Sequence, residues 1–163
     1  MSTLECLIIP DTTTQQVNFV LAGITTDRCE ILSTAPDEQK PVKINAGLNF
    51  GIDSSKKLLK VLFRNEFLQD EIPFITIEAG CIFAMDEESW KSFINDDKKL
   101  FALPKPFAGH LAQMTAGTAR GILHAKTENT PMNRFMIPAT NVEDMIRENV
   151  ILSLKTHENN GHE

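Results

Sequence analysis

The sequence predicts an α+β fold, a four-stranded antiparallel sheet with helices packed on one face. Three observations predict it. Val42, Ile44, Ala46, Leu48, Phe50 and Ile52 alternate without a break with Lys43, Asn45, Gly47, Asn49, Gly51 and Asp53, the period of a strand with one buried face. Two more alternating runs follow at hairpin spacing. Every helical pattern comes after them, the segregated order of an α+β domain.

The elements follow in chain order. Leu4 to Ile9 reads as a short apolar strand interrupted by Pro10. Val17, Phe19 and Leu21 then alternate with polar neighbours, either as a second strand piece or as the continuation of a kinked one. Residues 23–39 are polar and rich in turn formers. After the long alternating run, Asp53 to Lys56 forms a compact polar turn, so the next strand returns antiparallel. That strand, residues 57–67, puts Leu59, Val61, Phe63 and Phe67 on one face and Lys60, Arg64 and Glu66 on the other. Residues 68–73 turn the chain again, and they are too few for the crossover that a parallel pairing requires. The third long strand, 74–85, carries Ile75, Ile77, Ala79, Cys81, Phe83 and Met85 on its apolar face. Gly80 leaves a gap on the mixed face, where a bulge or a close approach is expected.

Asp86 is a natural N-cap for a helix reaching about Asn95, with Trp90, Phe93 and Ile94 as its stripe. A longer helix starts near Pro106, with Phe107, Leu111 and Met114 on one stripe. Ala108, Ala112 and Ala116 form a small-residue ridge beside Gly109 and Gly117, which implies a close helix contact and, with the short first strand, self-association. Thr140-Asn141-Val142-Glu143 is a capping-box sequence, and Val142, Met145 and Ile146 recur at helical spacing behind it. Residues 1–155 are expected to be a single domain, with 156–163 a disordered tail.

At 163 residues, 42% hydrophobic and 23% charged, the chain can bury a core without staples. A net charge of −6 with no basic run argues against nucleic acid as a partner. No apolar stretch approaches the roughly 20 residues of a membrane span, and no targeting segment is visible, so a cytoplasmic location without a membrane partner is expected. Cys6, Cys29 and Cys81 are widely spaced and match neither a disulfide framework nor a metal knuckle; Cys6 and Cys81 read as small buried hydrophobes. His110 and His124 sit about 21 Å apart along one helix, too far to share a metal or a proton. His157 and His162 lie in the tail. No nucleophile elbow, phosphate loop or aromatic platform is present. The chain is read as no enzyme, with neither cofactor nor metal.

Several short motifs carry a resemblance. Pro41-Val42-Lys43-Ile44 opens one strand, and Gly80-Cys81-Ile82-Phe83 ends another. Leu103-Pro104 leads into a long helix bearing Arg120-Gly121, and Pro138-Ala139-Thr140-Asn141 precedes the last element. In this order the chain resembles the SecB protein-export chaperones over residues 40–146. That family has V-K-[LI], G-G-I-F, F-P, R-G and A-P-V-N at the matching places. Cys81 replaces the second glycine of G-G-I-F, Pro106 follows Leu103-Pro104, and Ala139-Thr140 replaces A-P.

The resemblance implies an ATP-independent holdase that binds unfolded or extended polypeptides and works as a homo-oligomer, a dimer or a dimer of dimers. By position, Val42 and Ile44 carry over to the family's client groove. Phe50, Phe107 and Leu111 join them as apolar side chains in excess of what a thin layered core needs. The family also delivers clients to the motor SecA through acids on the outward sheet face. The family's glutamate falls at Thr76, and Glu78 is the acid of that face here, which makes Glu78 the candidate partner contact. A chaperone dedicated to one client, such as an antitoxin or a secretion or phage protein, fits the same residues. So do an oligomeric interaction protein and a small-molecule binder without chaperone activity.

Overall fold

The computed structural model describes residues 5–9, 15–34 and 36–154, with side chains from Gln16 onward. Five strands make the main sheet: β1 (Glu5–Ile9), β2 (Gln15–Ile31), β3 (Lys43–Asp53), β4 (Leu58–Gln69) and β5 (Ile72–Met85). Their order is β1-β2-β5-β4-β3, and every neighbouring pair is antiparallel. The expected fold class therefore holds: β2 to β5 are the four long strands, and β1 adds a short fifth at one edge. β3, β4 and β5 are the consecutive hairpin neighbours predicted. The connection 32–42 carries the chain from β2 to the far edge, which gives a Greek-key order.

The core follows from the alternation. Leu59, Val61, Phe63 and Phe67 of β4 lie opposite Phe83, Cys81, Ala79 and Ile75 of β5, and all are buried. Helix α2 (Lys105–Thr127) lies over these two strands. Phe107 packs edge-on against Phe19 with ring centroids 5.5 Å apart and stacks on Phe93 at the same distance. Each fully buried side chain of this size contributes roughly 1.5–3 kcal/mol.

β2 runs on through residues 23–31, which the sequence presents as polar turns. Two register shifts, between Leu21 and Gly23 and between Thr26 and Arg28, explain the misreading. Each bulge inserts a residue and breaks the period of two. Ile24, Cys29 and Ile31 return to the helix-facing side, opposite Cys81, Ile77 and Ile75.

Helix α1 (Glu87–Ser92) is capped by Asp86, whose carboxylate accepts from the Ser89 amide at 2.8 Å. It ends at Phe93, short of the expected Asn95, because the chain enters a second sheet. β6 (Ile94–Asn95), β7 (Leu100–Leu103) and β8 (Val150–Ser153) pair antiparallel in that order. Strands of two to four residues are too short to register as periodic patterns. The helix expected after the capping box is instead a single 3-10 turn, Val142–Met145. Asn141 caps it, and Val142 and Ile146 are both buried. One turn anchors the segment, and the chain then straightens into β8.

Two glycines have steric reasons. A Cβ on Gly80 would sit 2.6 Å from Lys60 Cε and from Thr25 Oγ1, because the Lys60 stem crosses this gap to reach Asp27 at 2.7 Å. A Cβ on Gly109 would meet Glu143 Cγ at 2.6 Å, so the expected close contact is made with the 3-10 turn. Ala108, Ala112 and Ala116 are likewise fully buried within the chain. The small-residue ridge is therefore spent internally and offers nothing to a second copy. The side chain of Cys6, the interruption at Pro10 and the tail with His157 and His162 lie outside the described residues.

Candidate client-binding site

Helix α2 runs over β5 and β4 and, among the described residues, leaves part of the helix-facing side of each outer long strand exposed, Val42 and Ile44 at β3 and Leu21 and Ile24 on β2. On β3, Ile44, Ala46, Leu48, Phe50 and Ile52 lie opposite Phe67, Asn65, Phe63, Val61 and Leu59, so they continue the core face outward. Val42 and Ile44 remain 37% and 40% exposed. Leu48, Phe50 and Ile52 are half-buried against the core edge, and β8 lies near β3. The result is an apolar flank that grades from the closed core to open surface.

Five residues were expected to line one groove, and the structure does not bring them together. Val42, Ile44 and Phe50 share the flank of β3. Phe107 and Leu111 do not reach it: both have no exposed surface. They lie beneath the helix, pressed on the sheet, whereas the flank lies beside it. The stripe that made them candidates is the one that docks α2.

The β3 flank has a polar mark. Asn65 is buried beside Ala46, between β3 and β5, and its Oδ1 has no hydrogen-bond partner among the described residues. Near Val42, a cleft is also lined by Pro36, Lys40, Gln69 and Phe135. The connection that frames it is fastened by the Gln69 amide, which donates to the Asp37 carbonyl at 2.7 Å. Arg134 adds an ion pair to Glu38 at 2.8 Å and lies over the Phe135 ring.

A second exposed flank lies on β2, where Leu21 and Ile24 are 38% and 54% exposed. Sequence reasoning missed it. The signal was present as apolar residues three apart, the spacing that a bulged strand leaves.

Glu78 does lie on the outward face, away from α2, but it is not a lone acid. Its cross-strand neighbours are Arg28 on β2 and Arg64 on β4, and its carboxylate stands 4.0 Å from Arg64. Arg64 also bonds Glu66 at 2.6 Å. Arg28 in turn pairs with Glu30 at 2.8 Å, so the cluster holds three acids and two arginines, and Glu78 has one ion pair, the long one to Arg64.

No protein-family model matches the chain, and no curated protein matches it in sequence. Among the described residues, no group of three or more His, Cys, Asp or Glu is placed to hold a metal. No helix is long and apolar enough to cross a membrane. Cys81 is buried with its Sγ 3.5 Å from Thr118 Oγ1, and burial pushes the half-buried Cys29 thiol above its ordinary range. Both cysteines behave as small hydrophobes.

Proposed function

We propose that the protein is an ATP-independent, SecB-like holdase of the cytoplasm that keeps non-native polypeptides extended, without enzymatic activity, and works as a homo-oligomer. The observation that carries this reading is the β3 flank. Val42 and Ile44 stand exposed at the end of an apolar face whose Leu48, Phe50 and Ile52 are half-buried, in the strand that resembles the family's groove strand. A graded apolar surface recognises composition more than sequence, because many weak contacts add without fixed geometry. A few side chains contributing roughly 1.5–3 kcal/mol each give micromolar affinity once ordering costs are subtracted.

The test is whether the purified protein delays aggregation of an unrelated unfolded protein in the absence of nucleotide. Ile44→Asp places a charge on the flank at an exposed position, so it is expected to stay folded and to lose holdase activity about tenfold. Full protection by a folded Ile44→Asp variant would move the client site elsewhere. No protection by the parent protein would end the reading.

A further inference from the structure

Among the described residues, both long edges of the main sheet expose backbone, and only one is guarded. β1 covers β2 from Gln15 to Phe19. Beyond that point the open edge of β2 is broken by two bulges and carries Asp27, Arg28 and Glu30, the usual devices against edge pairing. β3 has neither defence. It is regular over all eleven residues, it ends the sheet, and its charges are confined to its two ends, Lys43 and Asp53.

The direction of its backbone is marked as well. The Phe50 amide donates to the Asn49 side chain at 3.0 Å, so it points away from β4. In an antiparallel strand these directions alternate, and Ile44, Ala46, Leu48 and Ile52 then present their amides and carbonyls to the same open side.

We propose that β3 pairs antiparallel with β3 of a second copy of this chain, about a two-fold axis at Leu48. A two-fold normal to the sheet keeps each face on its own side, and the register centred on Leu48 is the one that uses the full strand. It sets Lys43 opposite Asp53 twice, joining the strand's only charges as opposite pairs. It sets Ile44 opposite Ile52 and Ala46 opposite Phe50, a small residue against a large one on the helix-facing side. On the other face, Asn45 meets Gly51 and Gly47 meets Asn49. The five outward residues of each strand form about ten backbone hydrogen bonds across the seam.

Neither end charge is committed elsewhere in a way that opposes this. Lys43 has an exposed ion pair with Glu71 at 3.3 Å, of the kind worth little. The turn bonds to Asp53, from the amides of Ser55 and Lys56 and the Ser55 hydroxyl, all run to Oδ1. The pairing would merge two sheets into one and bring two β3 flanks into a single apolar trough.

The inference specifies the self-association in the proposed function and requires none of its chaperone activity. A holdase that stays monomeric would overturn the pairing and the homo-oligomer but leave the chaperone activity, and a β3-linked dimer without holdase activity would overturn the chaperone activity alone. Light scattering of the full chain at micromolar concentration is expected to give twice the 18.2 kDa chain mass. In a Cys6→Ser, Cys29→Ser background, Leu48→Cys is expected to form an intermolecular disulfide on mild oxidation. Opposed Cα atoms of a hydrogen-bonded pair lie about 5.5 Å apart, within disulfide range. Ile44→Cys is expected not to cross-link, because its two copies stand about 27 Å apart along the paired strands. Lys43→Glu sets like charges opposite Asp53 at both ends and is expected to weaken dimerisation about tenfold. A monomeric parent, or a dimer that cross-links through position 44 as readily as through position 48, would overturn the pairing.

Discussion

Asp70 and Glu71 connect β4 to β5 with φ of 50° and 62°, a two-residue turn in which both positions have left-handed backbone. Glycine or asparagine suits such positions, because a Cβ there crowds the backbone. Glu71→Gly is therefore expected to stabilise the protein by about 1 kcal/mol, read as a higher urea midpoint at unchanged slope. A lower midpoint would mean that the exposed Lys43–Glu71 pair outweighs the backbone term. At the residue scale some reasons were legible in the chain and others were not. Asp86 announced itself as an N-cap, and Gly80 as a point of close approach. The positive φ at Glu71 was not legible, since only the turn's length, and not its residue types, encodes it. Nor was the setting of Glu78, whose cross-strand neighbours Arg28 and Arg64 come from two other strands.

At the scale of elements, long regular patterns survived and interrupted or short ones did not. β3, β4 and β5 alternate over more than ten residues each, and their pairing followed from turn length. β2 lost its signal at two bulges, and β7 is only four residues long. The candidate site suffered from a different ambiguity. An apolar helix stripe looks the same in sequence whether it lines a groove or docks the helix, and only the position of α2 over β5 and β4 separates Phe107 and Leu111 from Ile44. That separation is measurable. Leu111→Ala should cost about 2–5 kcal/mol of folding stability, whereas Ile44→Ala, at a 40% exposed site, should cost under about 1 kcal/mol. Chemical denaturation of the two variants decides it, and equal losses would mean that the β3 flank is core as well.

For the whole molecule, the titrating groups set the pH range in which the fold is stable. Three carboxyls are held below the ordinary aspartate value of 3.8 by the native structure: Asp27 by its bonds from Lys60 and Thr25, Asp53 by Ser55 and the Lys56 amide, and Asp86 by Ser89 and Asn18. Each joins distant or turning parts of the chain: Asp27 ties β2 to β4, Asp53 closes the β3–β4 turn, and Asp86 fastens α1 to β2. A carboxyl with a lowered folded pKa contributes stability above its unfolded value, and that contribution is lost as pH falls through the folded value. The Cys29 thiol has the opposite sign. Burial raises it above 9.0, so its contribution is complete below that value and fades as pH rises past it. Urea midpoints are therefore expected to be flat from about pH 5 to pH 8, to fall below about pH 4, and to decline again above about pH 9. Asp86→Asn should shallow the acid limb and leave the alkaline limb unchanged. A midpoint that stays constant down to pH 2.5, or an acid limb identical in the Asp86→Asn variant, would show that these three anchors do not stabilise the native state.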